Sequence, residues 1–269
     1  MLYKRNYLLG LTEEEKKEYR EVTGREFGTK RAGGLGTVNN FMAFPKAARM
    51  CRTLFPNNYL DVAELHDVER LAKANAEFTN FVNNELCTER KILNYIKEKE
   101  YYHIIGSLIW GLSINVGNHG AYLFPEFQLG TLYKADYLLM GKSSGGYEFI
   151  LIELEHPYGK ITLKDGELGA EFRDGISQLE DWKRWLPANY ASYVEKLKKY
   201  KNPSMDLPDE FYTLDLSRFH YVVVAGRRSD FSEKTYILKR EYKKEKNIDV
   251  IHYDNLIDFS NYLIGKATY

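Results

Sequence analysis

The apolar run Phe149-Ile150-Leu151-Ile152 leads into an alternating Glu153-Leu154-Glu155 and stops at Pro157. An unbroken apolar run of this length predicts a buried central strand. Strand side chains alternate faces, so Glu153 and Glu155 share a face while Ile152 and Leu154 take the other. The turn Gly141 to Gly146 joins this strand to one before it, which starts near Asp136. Farther on, Phe219 to Gly226 reads as a second buried strand and Asp249 to Tyr253 as a short one.

Helical spacing fills most of the remainder. Val62, Leu65, Val68 and Leu71, then Ile92, Leu93 and Ile96, recur with charges between them across residues 61–100. A helix is predicted from Leu168 to Leu186, striped by Phe172, Ile176, Leu179 and Leu186 and ended by Pro187. A lysine-rich helix follows over residues 190–201, then a Pro- and Asp-containing connection over residues 203–215. Asp230 with Glu233 reads as a capping box for a basic helix, and Asp254 as the cap of a last helix through Tyr262. Thr12 to Glu15 starts a helix near the N-terminus by the same logic. The second half thus alternates strands and helices, which predicts an α/β layered core.

Composition narrows the classes. The 269 residues carry a formal net charge of zero, so no global basic footprint marks a nucleic-acid binder, although a local one is open. No apolar run is long enough to span a bilayer and no signal-peptide pattern opens the chain. Cys51 and Cys87 lie far apart without zinc-type neighbours, which predicts free thiols in a reducing cytoplasm. The Gly-rich stretch Gly24 to Asn40, with Lys30 and Arg31, lacks the pattern of a P-loop and reads as an ordinary loop. His119 sits in a turn cluster and reads as an exposed turn histidine.

The chemistry gathers around three acids. Asp136 begins one strand and Glu153 and Glu155 end its neighbour. Carboxylates brought together at a buried strand end repel each other and resist desolvation, and a cation relieves both. Oxygen ligands of this kind select Mg²⁺ or Mn²⁺. The competing reading is a strand that simply emerges into solvent on charges. Arg227 and Arg228 follow the Phe219 strand, and Lys239 and Arg240 lie on the basic helix. All four are candidates for phosphate contacts.

Several pieces occur together in a known order: Ala135-Asp136, Ile152-Glu153-Leu154-Glu155-His156-Pro157, Gln178 to Trp182, Val224 to Arg228, and Ile251 to Leu256. In this the chain resembles the Shedu family of prokaryotic anti-phage nucleases, within the PD-(D/E)xK superfamily, over residues 86–269. The resemblance implies a central mixed sheet flanked by helices, behind a mainly helical region of residues 1–85 that matches nothing nameable. It implies that Asp136 and Glu153 bind Mg²⁺ or Mn²⁺, that Gln178 braces the site, and that Glu126 is a helper acid upstream. Glu155 stands where the pattern usually has lysine, giving E-L-E for E-x-K. A glutamate there orients or deprotonates water, or tightens metal binding. The implied activity is metal-dependent DNA cleavage by a homo-oligomer. A non-catalytic nucleic-acid-sensing module on the same fold is the alternative. Glycoside hydrolysis needs two acids across a sugar cleft, which neighbours on one strand face do not supply.

Overall fold

A computed structural model describes residues 1–28, 41–114 and 116–269, without the side chains of residues 24–28. The chain begins with helices: α1 (Glu13–Gly28), α2 (Lys46–Cys51), α3 (Val68–Val82), α4 (Glu89–Lys99) and the single turns α5 (His103–Gly106) and α6 (Leu108–Gly111). Asp67 caps α3 by accepting from the Arg70 amide, and Leu71, Ala74, Phe78 and Val82 form its buried stripe at helical spacing. Thr88 caps α4 in the same way through the Lys91 amide. The helical pattern across residues 61–100 is therefore cut into a 3₁₀ turn, Val62–His66, and two separate helices. Val68 falls off the buried face and is exposed.

Three antiparallel strands follow: β1 (Ala121–Leu129), β2 (Tyr133–Ser143) and β3 (Gly146–Leu154). α7 (Ala170–Ala188) and α8 (Tyr190–Lys198) lead to β4 (Phe219–Val224), which runs parallel to β3. α9 (Glu233–Lys246) leads to β5 (Ile248–Ile251), parallel to β4, and α10 (Tyr253–Leu263) closes the chain. Spatial order equals chain order, β1-β2-β3-β4-β5, in one mixed sheet. Ile150, Leu151 and Ile152 are fully buried in its middle strand, as an uninterrupted apolar run demands. α7 packs across β3 and β4, and α9 lies against β5. The architecture is α/β, a mixed sheet flanked by helices behind a helical N-terminal region.

The strand β1 is interrupted by Pro125 and by Glu126 at φ +49°, which hides its alternation. Pro125 is tolerated because β1 is the outer strand of the sheet. Pro187 does not end its helix at Leu186. It sits in the last turn of α7, and Asn189 closes the helix by bonding the Leu186 carbonyl. Ser232 with Thr235, rather than Asp230 with Glu233, forms the capping box of α9. His252, rather than Asp254, caps α10 by accepting from the Asn255 amide. The first residues of the Gly24 to Asn40 stretch belong to α1, and Lys30 and Arg31 lie outside the described residues.

The N-terminal region is stitched to the sheet. The Leu60 amide donates to the Ala121 carbonyl (2.9 Å) and the Leu123 amide to that of Asn58 (2.8 Å), along the outer edge of β1. Arg49 meets Asp61 in a buried ion pair beside this seam (2.7 Å). The boundary expected at residue 85 falls in the turn between α3 and α4. Among the described residues no helix is long and apolar enough to cross a membrane.

Candidate active site

The antiparallel ladder of β2 and β3 ends at Tyr137 opposite Ile152. One step beyond stand Asp136 and Glu153, opposite each other on one face. The Leu154 amide donates to Asp136 Oδ2 (2.8 Å), so the side chain takes over where the backbone ladder stops. Both acids are buried, at 6% exposure each. Glu153 Oε2 has no hydrogen-bond partner, an expensive state for a buried oxygen.

Burial is the main force on these groups. It pushes the Asp136 carboxyl well above the usual range, and Glu89 adds to the shift. The Leu154 amide, Arg90 and Lys134 pull the other way. Glu153 is pushed higher still, by burial and then by Asp136, Glu155 and Glu89. Two such carboxyls titrate as a unit, and the pair retains a proton near neutral pH. Glu155 is raised to about 8 by burial, then by Glu89, Glu171, Asp136 and Asp174.

Glu155 is held from three sides. Its amide donates to the Val224 carbonyl (2.8 Å), which extends the parallel pairing one residue past β3. Its own carbonyl accepts from the buried Tyr253 hydroxyl (2.8 Å) at the start of α10. Its carboxylate lies within 3.4 Å of the Gln178 side-chain amide on α7. Gly175, one turn earlier on α7, makes this approach possible. A Cβ there would stand 2.6 Å from Val223 Cγ2 and 3.0 Å from Glu155 Cγ.

The structure therefore brings Asp136, Glu153, Glu155 and Gln178 together. It also brings in Glu89, at the first turn of α4, which the sequence reading passed over. Thr88 as an N-cap was the available signal, since a cap fixes where the first-turn acid points. Glu126 is placed differently from a metal ligand. Its carboxylate accepts from Lys134 (2.8 Å) and from Arg90 (3.4 Å). Among the described residues no three His, Cys, Asp or Glu side chains form a group that could hold a metal by themselves. The donor set still suits a hard cation: two opposed buried carboxyls, one with a bare oxygen, that repel each other when both ionise.

Of the four candidate phosphate-binding residues, Arg227 and Arg228 are held by aspartates of α10. Arg227 is committed inside the protein. It grips Asp254 (2.7 and 3.1 Å), the Tyr158 hydroxyl (2.7 Å) and Asn83 Oδ1 (2.9 Å). It thereby ties α10, the loop after Glu155 and the end of α3 into one knot. Arg227→Gln is expected to cost about 1–3 kcal/mol, because Asp254 loses a charged partner, read as a lower midpoint in thermal or urea unfolding. Arg228 is exposed and paired with Asp258. Lys239 is half-buried, and burial lowers its pKa, while Arg240 is exposed; both sit on α9 against the far edge strand β5. Arg90 and Lys134 are cations that act on Asp136.

A mixed five-stranded sheet whose second and third strands present an Asp and a Glu side by side is an α/β arrangement of the PD-(D/E)xK type. Residues 87–257, well over half of the chain, match the family described as Shedu protein SduA, C-terminal. The chain belongs to the Shedu family, and that membership points to anti-phage defence. No curated protein matches it.

Proposed function

We propose that this protein is a metal-dependent DNA endonuclease of anti-phage defence, with its reaction centre at Asp136 and Glu153. The observation that supports this best is the unpartnered, buried Glu153 Oε2, on a carboxyl that burial and the neighbouring Asp136 push upward. Folding that leaves two acids in such a position is costly unless a ligand repays it. A bound Mg²⁺ or Mn²⁺ would supply charge to the scissile phosphate and lower the pKa of a nearby water. Asp136 and Glu153 would hold that ion, and the Leu154 amide keeps the Asp136 carboxylate in place for it. Glu155, raised to about 8, is suited to exchange a proton near neutral pH. It would take the proton of the attacking water, while Gln178 and the Tyr253 hydroxyl keep its carboxyl and backbone from turning.

The test is cleavage of linear, nicked and single-stranded DNA by the purified protein with Mg²⁺, Mn²⁺ or EDTA. Metal-dependent cuts that fall at least about 100-fold in Glu153→Ala, with folding intact, support the assignment. Undiminished cutting by Asp136→Ala sinks it. One observation favours a second reading, a nucleic-acid-sensing module without cleavage: no third acid joins the pair to complete a metal-holding group among the described residues. Salt-sensitive DNA binding with no cuts on any substrate would establish that reading instead.

A further inference from the structure

Once ionised, the acids at this site create a difficulty for any nucleic acid. Asp136, Glu153, Glu155 and Glu89 act on one another across the strand ends, with Glu171 and Asp174 acting on Glu155 nearby. A phosphodiester approaching that field is repelled unless cations flank it. Arg227 and Arg228 are each bound to an aspartate of α10. Arg90 follows Glu89 on α4, and Lys134 lies two residues before Asp136 on β2, hence on the same face of the strand. Both hold one carboxylate oxygen, Glu126 Oε1.

Glu126 is an odd residue to find there. The pairs Pro125 with Tyr137 and Phe127 with Ala135 put it level with Asp136, yet it drops out of the ladder. Its backbone adopts φ +49°, a left-handed conformation that a side chain with a Cβ rarely takes inside a strand. Strain of this kind gathers at functional positions. The three side chains are also accessible, at 59%, 37% and 39% for Arg90, Lys134 and Glu126, so solvent screens the ion pair and makes it easy to exchange.

We propose that Arg90 and Lys134 form a binding site for a backbone phosphate of the nucleic acid, and that the Glu126 carboxylate occupies the phosphate's place until the strand arrives. A guanidinium and an ammonium converging on one oxyanion suit a phosphodiester as well as a carboxylate. The phosphate then lies beside Asp136 and leads the neighbouring linkage toward the acid pair. The nature of the anion rests on the nuclease reading above; the arrangement of the three side chains does not.

The experiment measures binding of a fluorescent DNA duplex to the full chain in EDTA, across a salt series, so that cleavage does not intervene. Lys134→Gln is expected to weaken binding about three- to tenfold and to reduce the slope of log K against log salt by about one. Glu126→Gln is expected to strengthen binding by a similar factor, because it releases both cations. Glu126→Gly removes the same carboxylate and relieves the left-handed backbone, so it gives the same gain in a variant that folds at least as well. Lys73→Gln, on the exposed side of α3, is the charge-matched control. Opposite signs for the Lys134 and Glu126 variants, each well beyond the change in Lys73→Gln, are the signature, since a purely structural ion pair would move both the same way and a long-range charge effect would move the control as much. Weaker or unchanged binding in both Glu126 variants overturns the site. If the wild type cuts DNA while none of these variants alters binding, the site fails and the nuclease reading stands. If the wild type neither binds nor cuts DNA, both fail.

Discussion

Glu153→Gln should abolish cleavage and yet make the metal-free protein more stable. The two effects have one origin. Asp136 and Glu153 are buried opposite each other, and burial, with Glu89 acting on Asp136 and with Asp136, Glu155 and Glu89 acting on Glu153, holds both carboxyls above their unfolded values. A group raised in this way stabilises the fold fully below its unfolded pKa, and that contribution disappears as pH climbs through the folded value. The unfolded carboxyls titrate near pH 4, while Glu155 in the fold titrates at about 8 and the pair above the usual range. Metal-free wild type should therefore lose stability steadily from about pH 4.5 to pH 8 and beyond. An uncharged amide at residue 153 removes the repulsion and flattens that slope. Near pH 8 the gain should be on the order of 1–3 kcal/mol, or roughly 3–8 °C in melting temperature. Millimolar Mn²⁺ should raise the wild-type midpoint and leave the variant almost where it was. Melts at pH 6 and pH 8.5, each with EDTA or Mn²⁺, read all of this. A variant less stable than wild type at pH 8.5 in EDTA would mean that the pair is not strained by charge.

Gly175→Ala should damage both fold and site through a single methyl group. The added carbon would lie 2.6 Å from Val223 Cγ2, inside any real contact distance, and 3.0 Å from Glu155 Cγ and Oε1. Val223 is fully buried in β4 and its branched side chain has little room to turn. The helix must lift from the sheet or Glu155 must move. Overpacking of this sort costs about 1–3 kcal/mol. Raising α7 also separates Gln178 from Glu155, now 3.4 Å apart, so a drop in kcat of about tenfold or more is expected with KM much less affected. Ordinary stability together with full activity would show that the helix has slack at this contact.

The pair Asp136 and Glu153 was legible because both sit on strands, where a period of two fixes which face a side chain takes and the apolar run fixes the register. Glu155 and Gln178 were legible as members of an ordered set of short pieces. The family match over residues 87–257 agrees with that reading. Glu89 and Gly175 were hidden, because their roles come from tertiary approach. One reaches the acids from a separate helix, and the other matters only through what it leaves room for. Arg227 was read from its neighbours in sequence, at a strand end suited to phosphate. Its partner Asp254 stands on another element, and the same two residues show why Asp254 does not cap α10. β1 is hard to read from the sequence because Pro125 and Glu126 break the alternation that marks a strand.

The seam along β1 governs how the chain can be divided. Residues 58–60 cover the start of the one edge of that strand that β2 does not pair, from Ala121 to Leu123, through the Leu60 and Leu123 amides. Residues 87–257 cover the family match but leave this cover behind. A fragment cut there would bare the Ala121 carbonyl and the Leu123 amide at the start of the edge strand, the kind of surface that recruits further strands into aggregates. The strip of backbone before the matched region thus shields the start of that edge from other strands.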